Sequence, residues 1–529
     1  MIQNDIQRAR RMHIADIPTR SAQRFGNKIA LVDHEHQMSF KEFHQCVEQI
    51  AMHLYDQGLR KGDKVMIFSH NCWQFPAILY ATAKLGVISV PINFMLNAAE
   101  VNYLLQHAQP KMVVVEDSLC TVMERALVKT DFIPPQQVVI DLNQSNVAAQ
   151  WQNFDTFLQD IEITLPEIEL HAHEPIRMMY TSGTESLPKG VLLNSEALMA
   201  QYTSCMVEGQ MSSNDREIHA FPMYHCAQLD AFLNVDLILG ATSYIFRRFD
   251  SEAVLDTIAK EKITKLFCPP TAWIALLNCE KFNPAELGSL SKAYYGASAM
   301  PKAVIEELLQ KLPHIRFWQF YGQTEMAPVA TVLHPEDHFE YADSVGRPAF
   351  NVETQIMAED GEILPQGEVG EIVHRSVHLT QGYDQNDEKN AESFKYGWFH
   401  SGDLGYFNEQ GYLFVVDRIK DMVKSGGENV STREVEEVIY RMGAVKEVAV
   451  FGTPHPRWIE AVTAVVILHP DQYLTEKLII EFCAQHLSAY KMPKMVHFAE
   501  ALPKNASGKI LKRELKQQYQ HQPTEAKVS

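Results

Sequence analysis

The sequence predicts an α/β protein with a large N-terminal domain and a small α+β domain at its C-terminus. Short apolar strands alternate with amphipathic helices through the first half of the 529-residue chain, which is typical of a parallel sheet covered by helices. Beyond residue 421 a further set of strands and helices has the size of an independent domain. A chain of this length exceeds one ordinary core, so two or three domains are expected.

The first αβ block opens with a capping box. Ser39 and Glu42 bracket the start of an amphipathic helix that is expected to extend through Leu54. Strands and one further helix follow in alternation. The expected strands are residues 64–68, 87–91, 112–115 and 137–140, and the helix is residues 72–85.

A second αβ block repeats the pattern without repeating the sequence. Its expected helices are residues 194–207, 228–239 and 251–261, and its expected strands are residues 218–221, 242–246 and 265–268. The large domain thus contains two αβ-layered subdomains.

The character of the chain then changes twice. Residues 344–416 carry short β segments and turns, which predict a β-rich subdomain that completes a large domain of residues 1–417. Residues 418–421 are the expected hinge, and residues 422–529 the small mobile domain. In that domain helices are expected at 431–441 and 474–486 and strands at 445–451 and 461–468, with a tail that frays beyond 517.

Composition limits the partners. The formal net charge is −19, which argues against nucleic acid or an anionic membrane as the main partner, because both need a basic surface. The apolar residues 75–95 are interrupted by Lys84, Gly86 and Pro91, so no transmembrane segment is expected there. The start lacks a signal peptide and the eight cysteines are scattered, which predicts reduced thiols and a cytoplasmic location.

A loop rich in hydroxyls and glycine is the main candidate for ligand binding. Residues 180–191 read Tyr-Thr-Ser-Gly-Thr-Glu-Ser-Leu-Pro-Lys-Gly-Val. Closely spaced backbone N–H groups, small hydroxyls and a lysine suit a polyphosphate, and Gly183 and Gly190 leave room for close approach. The spacing does not match the common Gly-x-x-x-x-Gly-Lys-Ser/Thr loop, and by itself the stretch also fits a Ser/Thr/Gly surface loop.

Four further stretches carry candidate functional side chains. They are Tyr-Gly-Gln-Thr-Glu at 321–325, Ser-Gly-Asp-Leu-Gly at 401–405, Asp-Arg-Ile-Lys-Asp at 417–421 and Lys-Asn-Ala-Ser-Gly-Lys-Ile at 504–510. In isolation the first two are typical of turns, and the other two of solvated charged segments. Their joint occurrence in this order is a far stronger signal than any one of them.

Taken together, these stretches resemble the adenylate-forming superfamily of acyl- and aryl-CoA synthetases, peptide-synthetase adenylation domains and beetle luciferases. The resemblance covers nearly the whole chain. It departs at Glu185 and Ser186, where the family usually has Thr-Gly. Because Thr184, Lys189 and Gly190 remain in place, we interpret this departure as a variation in rate or subfamily.

The resemblance implies roles for the motif residues. Tyr321 is expected to stack on adenine, Thr324 to contact the α-phosphate, and Glu325 to hold Mg²⁺ together with Thr184. Such an oxygen-ligated Mg²⁺ bridging phosphates is what this hard cation prefers. Further residues expected around ATP or AMP are Thr181, Ser182, Gly183, Lys189, Gly296, Ala297, Ser298, Gly322, Gln323, Asp403 (ribose) and Arg418.

The resemblance also implies two half-reactions on a carboxylic acid. The carboxylate attacks ATP, assisted by Lys509, to give acyl-AMP and pyrophosphate, and the thiol of CoA then displaces AMP. One centre serves both steps if the small domain rotates about the hinge at Lys420. Rotation withdraws Lys509 and brings up the residues expected at the pantetheine, namely Lys424, Ser425, Gly426 and Gly427.

The acid itself is only partly defined. His225 matches the family's acid-pocket histidine, although a satisfied core histidine fits equally well. The candidate pocket, residues 225–230, 294–300 and 320–323, is mostly apolar or uncharged, with Asp230 the exception. It offers no base for a second carboxylate and no assignable acid for an amino group. Fatty or aryl monocarboxylic acids therefore fit best, with a medium- or long-chain fatty acid preferred.

Three hypotheses remain open. The first is a free-standing acyl-CoA ligase with roles in fatty acid metabolism. The second is a ligase that loads the acyl group onto the phosphopantetheine of a separate acyl carrier protein. The third is a non-catalytic nucleotide-binding homologue, whose mark would be loss of Lys509 or Glu325, and both are present.

Overall fold

A computed structural model of the chain describes residues 2–145, 147–181, 187–425, 428–455 and 457–520. None of the helices in these ranges combines the length and apolar character needed to cross a membrane.

The strands are numbered in chain order. They are β1 (Ile29–Asp33), β2 (His36–Ser39), β3 (Lys64–Phe68), β4 (Ile88–Pro91), β5 (Met112–Glu116), β6 (Gln136–Ile140), β7 (Gln152–Asn153), β8 (Pro175–Thr181), β9 (Lys189–Asn194), β10 (Arg216–His219), β11 (Thr242–Ile245), β12 (Lys265–Phe267), β13 (Lys292–Gly296), β14 (Arg316–Gly322), β15 (Val329–Leu333), β16 (Arg347–Pro348), β17 (Val352–Met357), β18 (Gly370–Ser376), β19 (Phe399–Phe407), β20 (Leu413–Arg418), β21 (Val423–Ser425), β22 (Glu428–Val430), β23 (Val445–His455), β24 (Ile459–Leu468) and β25 (Met495–Phe498).

The helices are numbered in the same way. They are α1 (Ile2–Ala9), α2 (Ile17–Phe25), α3 (Phe40–Asp56), α4 (Gln74–Lys84), α5 (Ala98–Ala108), α6 (Cys120–Leu127), α7 (Ser195–Glu208), α8 (Cys226–Gln228), α9 (Asn234–Leu239), α10 (Ser251–Glu261), α11 (Pro270–Leu277), α12 (Lys302–Lys311), α13 (His338–Tyr341), α14 (Asp387–Ser393), α15 (Thr432–Tyr440), α16 (Glu476–His486) and α17 (Lys512–Tyr519).

Two mostly parallel sheets form the large αβ part. One has nine strands in the order β16-β15-β14-β13-β12-β10-β11-β1-β2, and the other has seven in the order β7-β6-β5-β3-β4-β8-β9. Strands from β14 to β1 in the first sheet run parallel, and antiparallel strands close both edges. In the second sheet only β9 runs antiparallel to its neighbour β8. The carboxyl ends of parallel strands meet at one edge, where ligand sites of such sheets lie.

Two smaller sheets complete the chain. A four-stranded antiparallel sheet, β17-β18-β19-β20, is the predicted β-rich subdomain. A five-stranded sheet, in which β22-β21-β24-β23 is extended by β25, packs with α15 and α16 around its own apolar core. The predicted α/β fold with a small α+β C-terminal domain is thereby confirmed. The chain passes from the third sheet to the fourth between Arg418 and Val423. The functional division at residues 417–421 stays a prediction.

Most predicted elements lie within two residues of their expected bounds. Ser39 and Glu42 form the predicted capping box of α3, in which the Ser39 side chain accepts from the Glu42 backbone N–H. The helix expected at 228–239 differs in shape, because Leu229–Leu233 form a π-helical turn between α8 and α9. The strand expected at 218–221 ends at His219, and beyond it the Phe221 N–H donates to the Gln228 side chain instead of to a neighbouring strand.

Candidate active site

The phosphate-loop candidate lies at the tip of a hairpin formed by β8 and β9. Thr181 pairs with Lys189, and Tyr180 with Gly190, so Lys189 and Gly190 belong to a strand rather than to the loop. A Cβ on Gly190 would lie 2.7 Å from the sulfur of Met178, so packing against that side chain also favours glycine here. The predicted loop residues Ser182, Gly183 and Thr184, with Glu185 and Ser186, lie outside the described residues.

The Tyr-Gly-Gln-Thr-Glu segment crosses the carboxyl end of β14 into a short 3₁₀ turn, Thr324–Met326. Gly322 is needed for a reason the sequence does not reveal. A Cβ there would collide with the backbone carbonyl of Pro328 rather than with a ligand. Thr324 and Glu325 are both buried, and the Thr324 hydroxyl lies 3.4 Å from the sulfur of Cys226.

The Ser-Gly-Asp-Leu-Gly segment brings its aspartate to the same place. The Tyr321 hydroxyl donates to Asp403 Oδ2 at 2.7 Å, and Arg418 Nε lies 3.2 Å from Asp403 Oδ1. Asp403 and Arg418 are direct partners in the β19–β20 pairing, which holds the ion pair in register. The Asp403 carboxylate raises the pKa of Arg418, which therefore stays charged. Three residues from three separate predicted motifs are thus in contact.

The small-residue segment at 296–298 follows strand β13. Gly296 pairs with Phe320 of β14, and a Cβ on it would collide with the Phe320 carbonyl oxygen. Ala297 has a positive φ of 66° and lines the cleft, with Ser298 half-buried beside it. Close strand pairing, in addition to any ligand, explains the glycine.

The C-terminal lysine loop reaches this cleft from the small domain. Asn505 Oδ1 accepts hydrogen bonds from the backbone N–H groups of Ser507 and Lys509, which holds the loop in shape. The Thr271 hydroxyl, at the start of α11, donates to the carbonyl of Gly508 at 3.4 Å. Lys509 lies in the cleft and keeps contact with solvent. The charge of nearby Arg418, followed by desolvation from the surrounding protein, lowers its pKa to about 8.

Several cations converge on this cleft. Burial, with Lys389 and Lys420 nearby, lowers the pKa of Lys189, while Glu325 acts in the opposite direction. Lys420 is exposed and lies in a tight turn, in which the backbone N–H of Asp421 donates to the carbonyl of Arg418 at 3.0 Å. An acidic protein of net charge −19 therefore carries a local basic cleft suited to a polyanion.

Comparison with known proteins identifies the group to which this chain belongs. Residues 18–384 match the family model described as AMP-binding enzyme, and residues 434–509 match the AMP-binding enzyme C-terminal domain. The chain belongs to the AMP-binding enzyme family. The sequence-based prediction of an adenylate-forming acid–thiol ligase is confirmed at this level.

Relatives of this AMP-binding enzyme differ in acid and acceptor. It is 33% identical to the long-chain-fatty-acid–CoA ligase FadD13 of Mycobacterium tuberculosis, over 91% of this chain and 93% of the relative. It is 31% identical to the fatty acid–[acyl-carrier-protein] ligase ScoC of Streptomyces coeruleorubidus, over 91% and 92% respectively. The crystal structure of the anthranilate CoA ligase AuaEII with anthranoyl-AMP matches with a TM-score of 0.88 and 25% identity, covering 96% and 97%.

The cavity beside the lysine loop is small and mainly apolar. Its volume is about 10 Å³, and its lining is Phe221, Pro222, His225, Ala227, Gln228, Phe267, Ala297 and Ser507. The His225 Nδ1 accepts from the backbone N–H of Ala227 at 3.2 Å, and burial lowers the pKa of this histidine to about 4. His225 is therefore neutral at pH 7. It both caps a helix and faces the cavity, so the two sequence-based interpretations are compatible.

Part of the expected acid pocket lies elsewhere. Asp230 is fully buried 2.5 Å from Arg177 Nη1 and does not line the cavity. Tyr294 is also buried, and its hydroxyl donates to the carbonyl of Gly209. Four lining residues lie outside the pocket that the sequence predicts, namely Phe221, Pro222, Phe267 and Ser507. Phe267 ends strand β12, and Phe221 lies two residues beyond strand β10 of the same parallel sheet, which was the available signal.

The expected pantetheine residues lie on the small domain. Lys424 and Ser425 belong to β21, where the Lys424 N–H donates to Glu460 Oε2 at 2.7 Å. Lys424 is exposed, whereas Ser425 is buried and pairs with Ile459 of β24. Gly426 and Gly427 lie outside the described residues.

One buried cluster outside the cleft resembles a metal site. Glu217, His219 and Asp236 are the one group of His, Cys, Asp and Glu side chains with suitable spacing within the described part of the chain. Lys265, however, bonds to Asp236 and lies 2.8 Å from Glu217 Oε2, so its ammonium group occupies the position of a cation. This cluster therefore pairs two strands of the nine-stranded sheet with helix α9 through Lys265 and does not fit a metal ion.

Proposed function

We propose that this AMP-binding enzyme is an ATP-dependent acyl-CoA ligase. It activates a monocarboxylic acid as acyl-AMP with release of pyrophosphate and then transfers the acyl group to the thiol of CoA. The observation that carries the proposal is the position of Lys509. The small domain presents this lysine to the cleft that holds Asp403, Arg418 and the Tyr321–Glu325 segment of the large domain.

ATP is proposed to bind across the three motifs that meet in the cleft. Tyr321 would stack on adenine and Asp403 would accept hydrogen bonds from the ribose hydroxyls. In this structure Asp403 is held by Tyr321 and Arg418, so its position is fixed before nucleotide arrives. The triphosphate would extend toward Thr181, Lys189 and the loop at 182–186, with Thr324 at the α-phosphate.

Glu325 fits a magnesium site. Its Oε1 accepts from the Tyr383 hydroxyl, and its Oε2 accepts no hydrogen bond from the described residues. A buried carboxylate with one free oxygen suits Mg²⁺, which prefers oxygen ligands and shares them with phosphates. We propose that Glu325 and Thr184 hold this ion, which when bound offsets the charge of the phosphate oxygens.

Lys509 is proposed to assist the first half-reaction. The substrate carboxylate forms a bond to the α-phosphorus as the bond to pyrophosphate breaks, and negative charge grows on the phosphate oxygens. A protonated Lys509 stabilises that charge in the cleft. His225 is neutral at pH 7, and because its Nδ1 accepts from the Ala227 N–H, its Nε2–H can donate a hydrogen bond to the reacting carboxylate without adding charge.

The second half-reaction is proposed to require rotation of the small domain about Lys420. The thiol attacks the acyl carbonyl, AMP leaves, and the thiol proton is lost to solvent or to AMP. Lys424, Ser425 and the glycines that follow would then line the path of the pantetheine. Ser425, buried in this arrangement, would have to become accessible for that role.

The acid is proposed to be a monocarboxylic acid, with a medium- or long-chain fatty acid first to be tested. No charged residue lines the cavity, which disfavours dicarboxylic and amino acids because their second charge would be buried without a partner. The 33% identity to FadD13 supports a fatty acid. At about 10 Å³ the cavity admits a long chain only after side chains such as Phe221 and Phe267 move.

The absence of disulfides among the eight cysteines supports a cytoplasmic location.

A screen for acid-dependent pyrophosphate release tests this proposal. Fatty acids of increasing length, benzoic-type acids and amino acids are compared at fixed ATP and Mg²⁺. The expected result is release with apolar monocarboxylic acids and background release with amino acids. AMP release is then compared with free CoA and with a holo-acyl carrier protein, because ScoC loads a carrier. If AMP is released with the holo-acyl carrier protein and not with free CoA, the carrier protein replaces CoA as the proposed acceptor.

Removal of the Lys509 amine tests its assignment. Lys509→Ala is expected to reduce acyl-AMP formation by at least about 100-fold, since one electrostatic stabiliser of a transition state is lost. Thioester formation from supplied acyl-AMP should stay near the wild-type rate. Lys504→Ala is the matched control. Lys504 belongs to the same loop as Lys509, but its ammonium group pairs with Glu447 of strand β23 at 2.6 Å. Equal loss of both half-reactions in Lys509→Ala would refute the role given to this lysine.

A further inference from the structure

The Glu325 side chain has a buried partner that no sequence motif singles out. The Tyr383 hydroxyl donates to Glu325 Oε1 at 2.9 Å. A tyrosine hydroxyl is protonated at neutral pH, so towards an ionised carboxylate it can only donate. One oxygen of Glu325 is thereby engaged and the orientation of the other is set.

Tyr383 lies in a strap, residues 380–384, that binds two parts of the candidate site together. The Thr380 backbone N–H donates to the Glu325 carbonyl at 2.7 Å, and the Thr380 hydroxyl donates to the carbonyl of Leu192 in β9. Tyr383 forms a β-bridge with Val191, and the Asp384 N–H donates to the Gly190 carbonyl at 2.8 Å. The strap therefore fixes the Tyr383 ring relative to both Glu325 and the base of the phosphate-loop hairpin.

The same ring also faces the lysine of that hairpin. The Lys189 ammonium lies 5.6 Å from the centre of the Tyr383 ring, within the range of a cation–π contact. Tyr383 thus touches the proposed metal ligand through its hydroxyl and the proposed phosphate cation through its face. Asp384 also ties the strap to strand β3 through an ion pair with Lys64 at 3.0 Å.

From this geometry we propose that Tyr383 is a positioning residue for the first half-reaction: its hydroxyl aims the free oxygen of Glu325 at Mg²⁺, while its ring holds Lys189 beside the phosphates. The inference rests on the proposed function, because it takes Glu325 as the metal ligand. Groups that orient a metal ligand commonly change metal affinity by about 10–100-fold when removed. The expected signature is therefore a weaker response to Mg²⁺ rather than a general loss of activity.

Tyr383→Phe tests the proposal by removing one hydroxyl and keeping the ring. The probe is α,β-methylene ATP, which cannot transfer its adenylyl group because a carbon replaces the oxygen between its α and β phosphorus atoms. Its binding is followed by calorimetry as Mg²⁺ is titrated. The Mg²⁺ concentration for half-maximal binding is expected to rise about 10-fold or more. Pyrophosphate release should show the same shift and should recover substantially at high Mg²⁺.

A matched control is available. The Tyr244 hydroxyl donates to Glu261 Oε2 at 3.1 Å, and neither residue belongs to the candidate site, so Tyr244→Phe removes a comparable tyrosine–glutamate bond elsewhere in the protein. This variant should leave the Mg²⁺ dependence unchanged. Tyr383→His, which can keep an N–H donor at the ring edge, should restore part of the affinity lost in Tyr383→Phe. Absence of any such rescue would indicate a packing role and overturn the proposal.

Glu325→Gln distinguishes the assignment of Glu325 as a metal ligand from the role of Tyr383 in orienting it. If Glu325→Gln raises the Mg²⁺ requirement and Tyr383→Phe does not, the metal assignment stands and the role of Tyr383 is wrong. If neither variant changes the Mg²⁺ requirement, the proposed metal ligand itself is wrong. A thermal midpoint within a few degrees of wild type confirms that each variant is folded. Should Tyr383→Phe unfold, Tyr383→Met, which also lacks a hydrogen-bond donor, takes its place, and an unchanged Mg²⁺ requirement in that variant contradicts the proposal.

Discussion

At the scale of single residues, the cleft changes the chemistry of its lysine. The side chain of Lys509 would ordinarily titrate near 10.5, but Arg418 and burial lower its pKa to about 8. A phosphate brought into the cleft has the opposite effect, because a negative charge favours the protonated amine. Lys509 is therefore most fully protonated once ATP is bound. In the free enzyme it loses its proton near pH 8, within the range in which the enzyme can be assayed.

This shift predicts a pH dependence. In the free enzyme Lys509 is protonated below pH 8 and loses its charge as the pH rises. At low ATP the rate of acyl-AMP formation should therefore fall as the pH rises through about 8. At saturating ATP the fall should move to higher pH. His225, with a pKa of about 4, makes no change between pH 6 and 9. Initial rates of pyrophosphate release across this range measure both profiles.

Lys509→Arg provides the comparison. A guanidinium stays protonated throughout this range, so the fall near pH 8 should be absent whatever the residual rate of the variant. A wild-type profile that stays flat up to pH 9.5, or an identical fall in Lys509→Arg, would assign the titration to another group.

At the scale of elements, a buried ion pair joins the seven-stranded sheet to the helical segment that contains Asp230. Arg177 of β8, in the seven-stranded sheet, meets Asp230 in the π-helical turn that follows α8. Asp230 Oδ1 also accepts from the Tyr202 hydroxyl at 2.7 Å and from Asn234 Nδ2 at 3.0 Å. Its carboxylate is therefore satisfied by the fold, which explains why it is absent from the acid cavity.

Breaking this pair should destabilise the large domain. Arg177→Met keeps most of the side-chain volume but leaves the Asp230 charge buried without its cation, which costs about 3–5 kcal/mol. A thermal midpoint lowered by several degrees is expected in differential scanning calorimetry. Arg316→Met is the control, since that side chain is 47% exposed and its ion pair with Glu336 should contribute less than about 1 kcal/mol. Similar midpoints for the two variants would show that the buried pair is not important for stability.

At the scale of the whole molecule, two of the contacts between the small domain and the large one bear on the reaction. Near the point where the chain passes from the large to the small domain, Asp417 Oδ2 accepts from both the backbone N–H and the hydroxyl of Thr432, at 2.6 and 2.9 Å. Further away, the loop of Lys509 rests on α11 through Gly508 and Thr271. This arrangement of the two domains suits adenylation. The thioester step is proposed to need a different arrangement, which the small domain reaches by rotation.

A reversible crosslink tests that need. A Cβ placed on Gly508 would lie 3.8 Å from the Cβ of Thr271, within the range of about 3.5–4.5 Å found in disulfides. The oxidised Thr271→Cys, Gly508→Cys double variant should form acyl-AMP at the rate of its reduced form but should not transfer the acyl group to CoA. Reduction should restore transfer.

The single variants are the controls for this crosslink. The φ of Gly508 is +81°, so a cysteine there carries about 1–2 kcal/mol of backbone strain that the Gly508→Cys variant reports separately. Full thioester turnover by the oxidised double variant would mean that the small domain need not move.

The sequence by itself determined the local structure of this protein and the inventory of its chemistry. Strand β3 and helix α10 have the bounds that periodicity predicts, and the capping box of α3 forms as expected. These features depend on residues within one or two turns of each other, so they can be found without a fold. The motifs that identify the family are likewise contiguous, and their order along the chain carries the signal.

Only the tertiary structure decided which side chains meet. The Tyr321–Asp403 and Glu325–Tyr383 bonds join residues 82 and 58 positions apart. Their proximity depends on the order of strands in different sheets, and no local pattern encodes that order. The same holds for Asp230, which the sequence places in the acid pocket and which the fold pairs with buried Arg177 of strand β8. Local periodicity determines elements, whereas an active site is formed where elements that are distant in sequence converge.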